Sequence, residues 1–288
     1  MVATKGRKVV VADDDGERDC FLSGQRAVVG DLVDWVTAHG EGGKLVGVRP
    51  RERTLVRRDF KGRDQVIAAH LGGLVVVAST QHPPYRPGLV DRYLVAAAAA
   101  GLDAVLVVTK ADLGVEPEVE ADLAAREAQG LPVLRCVPPT GEGVDAVRAF
   151  LEEADAPGPW AFVGHSGVGK TSLVQALLPE VDVGPVGEVS ERWDQGRHTT
   201  TSSRIYALGA AEVADSPGIR TFLPSGLAAA DVQGAFPGMP PLACRYRDCL
   251  HRPGEEGCVA EAEVGEALLA RYRRLLDEVL DQEARARP

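Results

Sequence analysis

Eight consecutive residues, Gly164-His165-Ser166-Gly167-Val168-Gly169-Lys170-Thr171, have the spacing of a phosphate-gripping loop. Glycines at the ends of its G-x4-G core let successive backbone N–H groups converge on phosphate oxygens. A helix opening at Lys170 would add the favourable dipole of its N-terminus. Lys170 supplies a point charge to the β- and γ-phosphates, the Thr171 hydroxyl would ligate Mg2+, and Ser172 completes the nucleotide-contact set. The apolar segment Trp160–Val163 before the loop reads as a strand, the context this motif requires.

Three further segments suit the same ligand. Asp215-Ser216-Pro217-Gly218 fits an Asp-x-x-Gly switch, in which Asp215 holds Mg2+ through water and the Gly218 N–H senses the γ-phosphate. Gly196-Arg197-His198-Thr199-Thr200-Thr201 lies between, and one threonine hydroxyl there should complete the Mg2+ shell, with Thr200 favoured over Thr199. Thr109-Lys110-Ala111-Asp112 suits a guanine reader. The Asp112 carboxylate can accept two hydrogen bonds from guanine, a pattern adenine does not offer, while the Lys110 stem packs over the base. Thr109 replaces the commoner Asn, which weakens one contact. Val137-Pro138-Pro139 stands where Ser-Ala-Lys would complete base recognition, ahead of a matching Thr140-Gly141-Glu142-Gly143 turn.

The order of these segments is inverted. An ordinary GTPase places the phosphate loop first and the base reader later; here the reader at 109 precedes the loop at 164, so the core is circularly permuted. Ile219 occupies the position of a water-orienting Gln and cannot hydrogen-bond, which predicts slow intrinsic turnover. His198 is the candidate catalytic residue in its place. Gly167 stands where some GTPases use an Asn to recruit potassium, so that mode is not expected.

A second kind of chemistry is predicted near the C-terminus. Cys244-x4-Cys249-x-His251-x6-Cys258 offers three thiolates and an imidazole, enough to close a tetrahedral Zn2+ site with no position left for water. Such an ion would be structural, ordering a Pro/Gly-rich loop with little core of its own. Cys20 and Cys136 stand alone in apolar surroundings and read as buried fillers.

The elements that must position these groups change character along the chain. Over residues 1–70, short strands alternate with Gly-rich turns, as in a five-stranded OB-fold-like barrel; an SH3-like barrel would read the same way. Over 71–225, apolar strands alternate with helices, implying a parallel sheet buried on both faces. Residues 226–288 hold the Cys/His cluster and a single helix from Glu261 to Ala286 whose apolar stripe should dock on the body. Net charge is −10, which argues against coating nucleic acid by bulk electrostatics. A local patch remains: Arg49, Arg51, Arg53, Arg57, Arg58, Lys61 and Arg63 face three acids, Glu52, Asp59 and Asp64. No apolar run approaches the ~18 residues needed to cross a bilayer. With no signal-peptide core at the start, a cytoplasmic protein is expected.

Together these pieces resemble the ribosome small-subunit-dependent GTPase A family. The likeness rests on Gly30-Asp31-x-Val33, Arg92-Tyr93-Leu94, Gly164–Leu173, Gly196–Thr201, Asp215–Gly218 and the Cys/His cluster, and spans essentially the whole chain. It implies an N-terminal OB fold that binds RNA, a permuted GTPase and a C-terminal zinc module. It further implies a monomeric late assembly factor that binds the small ribosomal subunit and its rRNA. GTP hydrolysis to GDP would be stimulated by the subunit, with His198 at the position used for catalysis. Two readings stay open beside it: a GTP-dependent RNA-binding switch with incidental hydrolysis, and a permuted GTPase of large-subunit assembly.

Overall fold

The computed structural model describes residues 1–5, 8–24, 26–38, 42–58, 63–181, 203–215, 219, 222, 224 and 226–286. At its centre is β8 (Gly73–Ser79), buried at every position. Its run of Leu74-Val75-Val76-Val77-Ala78 suits a strand covered on both faces. Alternation sends Leu74, Val76 and Ala78 into a core with α1 (Pro87–Ala99) and α2 (Pro117–Ala128). Val75 and Val77 join the opposite core, built with α3 (Val144–Glu153) and α4 (Lys170–Leu177).

Around β8 the spatial order is β10 (Val133–Cys136), β9 (Asp103–Thr109), β8, β11 (Trp160–Val163), β13 (Ala211–Asp215) and β12 (Ser203–Leu208). The first five are parallel and β12 runs antiparallel to β13. The sheet is therefore mixed, a correction to the all-parallel expectation. It also continues further than the sequence suggests. β1 (Ala3–Lys5) bridges β12 to β2 (Lys8–Asp13), which leads on to β3 (Gly16–Phe21), β5 (Gly43–Val48) and β4 (Val33–Thr37). Arg204 of β12 reinforces this junction by donating to both carboxylate oxygens of Glu17, at 2.7 and 2.9 Å.

The N-terminal strands close over Val9, Val11, Cys20 and Leu45, with a separate hairpin of β6 (Leu55–Arg58) and β7 (Asp64–Ala68). Gly30 has φ +88°, and a Cβ there would lie 1.9 Å from the Ala69 carbonyl oxygen. No other residue fits so close a crossing. The fully buried Asp31 beside it receives a fork from Arg51 at 2.6 and 2.9 Å and the Val28 N–H at 2.7 Å. Arg51 is thus tied into the scaffold, and Arg49 pairs with Asp34 at 2.8 Å, so part of the basic segment is neutralised internally.

At the C-terminus, the single helix expected from Glu261 is broken. α6 (Ala260–Glu263) stops at Val264, which turns extended (φ −110°, ψ 134°) and buries its side chain, and α7 (Glu266–Ala286) begins beyond it. Leu269, Tyr272, Leu275, Leu276 and Val279 of α7 pack against Val95 of α1 and against Val232 and Phe236 at α5 (Ala229–Ala235). A buried ion network orients this docking. Arg126 lies 2.8 Å from Asp91 and 2.7 Å from Asp122, and Arg271 of α7 reaches the same two acids at 2.8 and 3.0 Å. Burial pushes Asp91 above its ordinary range, and the two guanidiniums oppose that shift. Such a network fixes one docking geometry more than it adds net stability.

Candidate functional site

The phosphate loop leaves β11 between β8 and β13, where the chain's strand order reverses and α/β proteins bind ligands. Gly164 has φ +145°, and a Cβ there would meet the Val77 carbonyl oxygen at 2.2 Å. Gly167 and Gly169 are left-handed at φ +79° and +90°, conformations that turn backbone N–H groups into the loop's hollow. Lys170 Nζ donates to the carbonyl oxygens of Gly164 and His165, both at 2.7 Å. The ammonium therefore sits over the loop that it would share with a polyphosphate. His165 is half-buried, Ser166 and Gly167 are exposed, Val168 is buried, and Thr171 and Ser172 are half-buried at the start of α4.

The segment Thr109–Asp112, expected from sequence to read guanine, is laced to this loop. Thr109, fully buried at the end of β9, places its hydroxyl against the carbonyls of Val168 and, at 3.2 Å, Ala78. Its one proton serves one acceptor at a time. Lys110 is left-handed (φ +57°), and its Nζ donates to Gly167 O at 2.9 Å and to His82 O. Ala111 and Asp112 form a single 3-10 turn with Leu113, and Asp112 is exposed. The sequence reading missed Thr80, whose hydroxyl donates to the Lys110 carbonyl at 2.8 Å; no local pattern marks it. Thr109, read as a weakening departure, still reaches the phosphate loop from its shorter side chain. Thr109→Val keeps the shape and removes that reach. Weakening of GDP binding by about fivefold is expected by titration, since one buried hydrogen bond contributes roughly 1 kcal/mol.

Val137-Pro138-Pro139 ends β10 in a turn closed by the Val137 N–H on Glu142 O at 2.8 Å. Asp215 ends β13, in register with Arg204 and half-buried. His198, Thr199, Thr200 and Gly218 lie outside the described residues.

The Cys/His cluster is assembled as the spacing predicts. Ligand atoms of Cys244, Cys249, His251 and Cys258 all lie within 4.8 Å of one another. The three sulfurs stand 3.6, 3.5 and 3.6 Å from His251 Nδ1. One ring nitrogen cannot hydrogen-bond three thiols at once, so equal distances mark a common centre. An ion ~2.3 Å from sulfur and ~2.0 Å from nitrogen in a tetrahedron separates them by about 3.6 Å. The group can therefore hold a metal ion. Burial, partly opposed by Glu255, lowers the His251 pKa, which favours the neutral ring a ligand needs. Outside the cluster, Arg273 Nε donates to His251 O at 2.7 Å, Gln233 to Cys249 O at 2.8 Å and the Tyr272 hydroxyl to Leu250 O at 3.2 Å. These bonds clamp the loop between α5 and α7.

Strand order, loop and base-reader geometry define a class: a P-loop GTPase core whose sheet is that of an ordinary GTPase with the chain entering midway. Two solved structures share the fold. YjeQ from Thermotoga maritima has a TM-score of 0.74 at 23% identity, covering 97% of this chain and 96% of that one. YloQ, described as a circularly permuted GTPase, has a TM-score of 0.70 at 21% identity, covering 98% and 96%. The chain belongs to the RsgA GTPase family, whose profile matches residues 48–223. Proteins named small ribosomal subunit biogenesis GTPase RsgA are similar over nearly the whole length. That of Azotobacter vinelandii is 37% identical, covering 96% of this chain and 84% of its own. That of Pseudomonas fluorescens strain Pf-5 is 36% identical, covering 98% and 85%.

Proposed function

We propose that this protein is a Mg2+-dependent GTPase of small-ribosomal-subunit biogenesis, binding the subunit with GTP and leaving after hydrolysis. The observation that supports it is the lacing of Thr109 and Lys110 to the carbonyls of Val168 and Gly167, which holds the segment read as a base reader against the segment read as a phosphate loop. Asp112 reads guanine, Lys170 and the loop N–H groups hold the polyphosphate, and Thr171, Thr200 and Asp215 hold Mg2+. Bound Mg2+ would neutralise charge developing on the phosphates. Gly218 senses the γ-phosphate, and His198 orients the attacking water in place of the Gln that Ile219 displaces. The three thiolates and one imidazole favour Zn2+.

The unit 1–70 is read as an OB barrel that contacts rRNA, 71–225 as the GTPase and 226–288 as the zinc module. Local positive charge, not the net −10, serves RNA contact. Among the described residues no helix is long and apolar enough to cross a membrane. The protein acts as a monomer in the cytoplasm, where its partner is assembled.

The test is co-sedimentation with purified subunits plus turnover assays. With a non-hydrolysable GTP analogue the protein should pellet with small subunits, which should also raise its turnover. His198→Ala should bind them normally and lose on the order of 100-fold in stimulated rate. Pelleting with large subunits alone, or no stimulation by either, would overturn the assignment.

A further inference from the structure

Phe21 ends β3 with 49% of its surface exposed, and Val36 of β4 and Val46 of β5 are 48% and 47% exposed. Strand register gathers them. Phe21 is the cross-strand neighbour of Lys8 on β2 and of Lys44 on β5, and Lys44 is in turn opposite Val36. The adjoining row, Val9, Cys20 and Gly43, is buried in the barrel. Alternation therefore turns Lys8, Phe21, Lys44 and Val36 outward as one row, with Val46 two residues along β5 on the same face. Adjacent apolar side chains left half in water form a patch of the kind that marks an interaction site. The charge beside it is free to act. Lys8 and Lys44 are exposed, and among the described residues neither has a carboxylate partner. Arg49 and Arg51, by contrast, are committed to Asp34 and Asp31. The Lys8 Nζ lies 5.2 Å from the centroid of the Phe21 ring.

We propose that this row is a stacking platform for an unpaired base of single-stranded RNA, with Phe21 against the base and Lys8 and Lys44 on the phosphates either side. The inference rests on the reading of residues 1–70 as the unit that contacts rRNA, and names the face and the form of RNA it takes. Strands ~4.8 Å apart put the two lysine backbones roughly 10 Å apart across the ring, so an extended nucleotide can engage the ring and both charges. A base stacked on Phe21 displaces the Lys8 ammonium toward its own phosphate. Paired bases in a duplex offer no free face, which makes the partner a loop, bulge or end. An apolar protein surface fits less well, because covering the ring would take water from both ammoniums without pairing them. Acids bound the track. Asp19 lies two residues along β3 on the same face, with Asp13, Asp14 and Asp15 at the turn beyond, and together they repel a backbone from that end.

The experiment measures binding of a short labelled single-stranded RNA of mixed sequence, and of the same sequence annealed into a duplex, to the full-length protein over a range of salt. Wild type should prefer the single strand. Phe21→Ala should weaken that binding by about 5- to 100-fold, the reach of one base–aromatic stack. Phe21→Leu should fail as badly, and Phe21→Tyr, which keeps a ring, should stay within about threefold of wild type. The Leu and Tyr pair carries the test even if the loss of bulk in Phe21→Ala disturbs the barrel. Lys8→Gln and Lys44→Gln together should flatten the dependence of log K on log salt by about 0.7 per lysine. Unassisted GTP turnover should be unchanged in all of them, and Phe21→Ala should pellet less well with small subunits. Equal affinity of wild type for the two RNAs, or affinity for neither, would overturn the platform. So would Phe21→Leu binding as tightly as wild type, which would assign the patch to a protein, or an unchanged salt dependence in the lysine variant. Full pelleting by Phe21→Ala would overturn it too, by placing the rRNA contact elsewhere. Wild type that binds the oligonucleotide through Phe21 yet pellets with neither subunit would instead remove the ribosomal reading and leave the platform standing.

Discussion

Lys170→Ala is expected to lower kcat/KM for GTP by at least about 100-fold and to weaken GDP binding measurably in a direct titration. The reason lies in what the ammonium holds. Its Nζ donates to two loop carbonyls at 2.7 Å from a half-buried position at the head of α4. Two unit charges ~4 Å apart at an effective dielectric near 20 attract by about 4 kcal/mol. Removing the charge costs much of that in a transition state whose phosphoryl oxygens gain negative charge, where preorganised cations matter most. It also leaves the Gly164 and His165 carbonyls without their donor. Lys170→Arg should fail almost as badly, since a planar fork cannot replace a compact ammonium over so tight a turn. Turnover of Lys170→Ala within tenfold of wild type would sink the placement of the phosphates in this loop.

The same lysine shows why this part of the site is legible in sequence. A phosphate loop is a contiguous segment whose glycines, cation and hydroxyl act locally, so spacing alone reports it. The metal cluster is legible for the same reason, since all four ligands fall between Cys244 and Cys258. What the sequence hides is non-local. β1 is three residues long, Ala-Thr-Lys, with no apolar alternation to mark it, and exists because β12 and β2 offer backbone partners on both sides. β12 itself carries Arg204 and Tyr206 on a strand only partly covered, so its pattern is faint. The break at Val264 is hidden because helix periodicity resumes directly after it, and burial of Val264 decides against propensity. The run Ala96–Ala100 looks uniform in sequence, yet Ala96 and Ala97 are buried and Ala100 packs on the core while Ala98 and Ala99 are exposed, because five consecutive helical positions cannot share one face. Tyr93 is legible only as a mark of resemblance: its hydrogen-bond partner, the Phe222 carbonyl, lies 129 residues further along the chain and meets it only after the sheet forms.

Removing the metal should cost the protein its C-terminal unit while sparing the nucleotide pocket. Cys249 is the buried cysteine of the cluster, and burial pushes its free thiol up to about 12. Cys249→Ser exchanges that soft ligand for a hydroxyl that does not ionise near neutral pH, so metal content should fall from about one equivalent toward zero. A structural zinc contributes roughly 10 to 16 kcal/mol to the folding of a small finger. Here α5 and α7 already hold the loop through Gln233, Tyr272 and Arg273, so a smaller loss, about 4 kcal/mol, is the expectation. For a chain of this size that is a fall in Tm of about 10 °C. The damage should spread along α7, because Tyr272 packs on both His251 and Phe236. It should stop at the Arg126 and Arg271 network, beyond which the sheet is complete without α7. GDP affinity should therefore stay within about threefold of wild type, as for well-separated sites. Metal analysis, thermal unfolding and GDP titration on one preparation decide the matter. A Cys249→Ser protein with wild-type Tm and full metal content would show that the cluster does not hold the loop. One that loses GDP binding in step with metal would show that the two ends of the molecule fold as one.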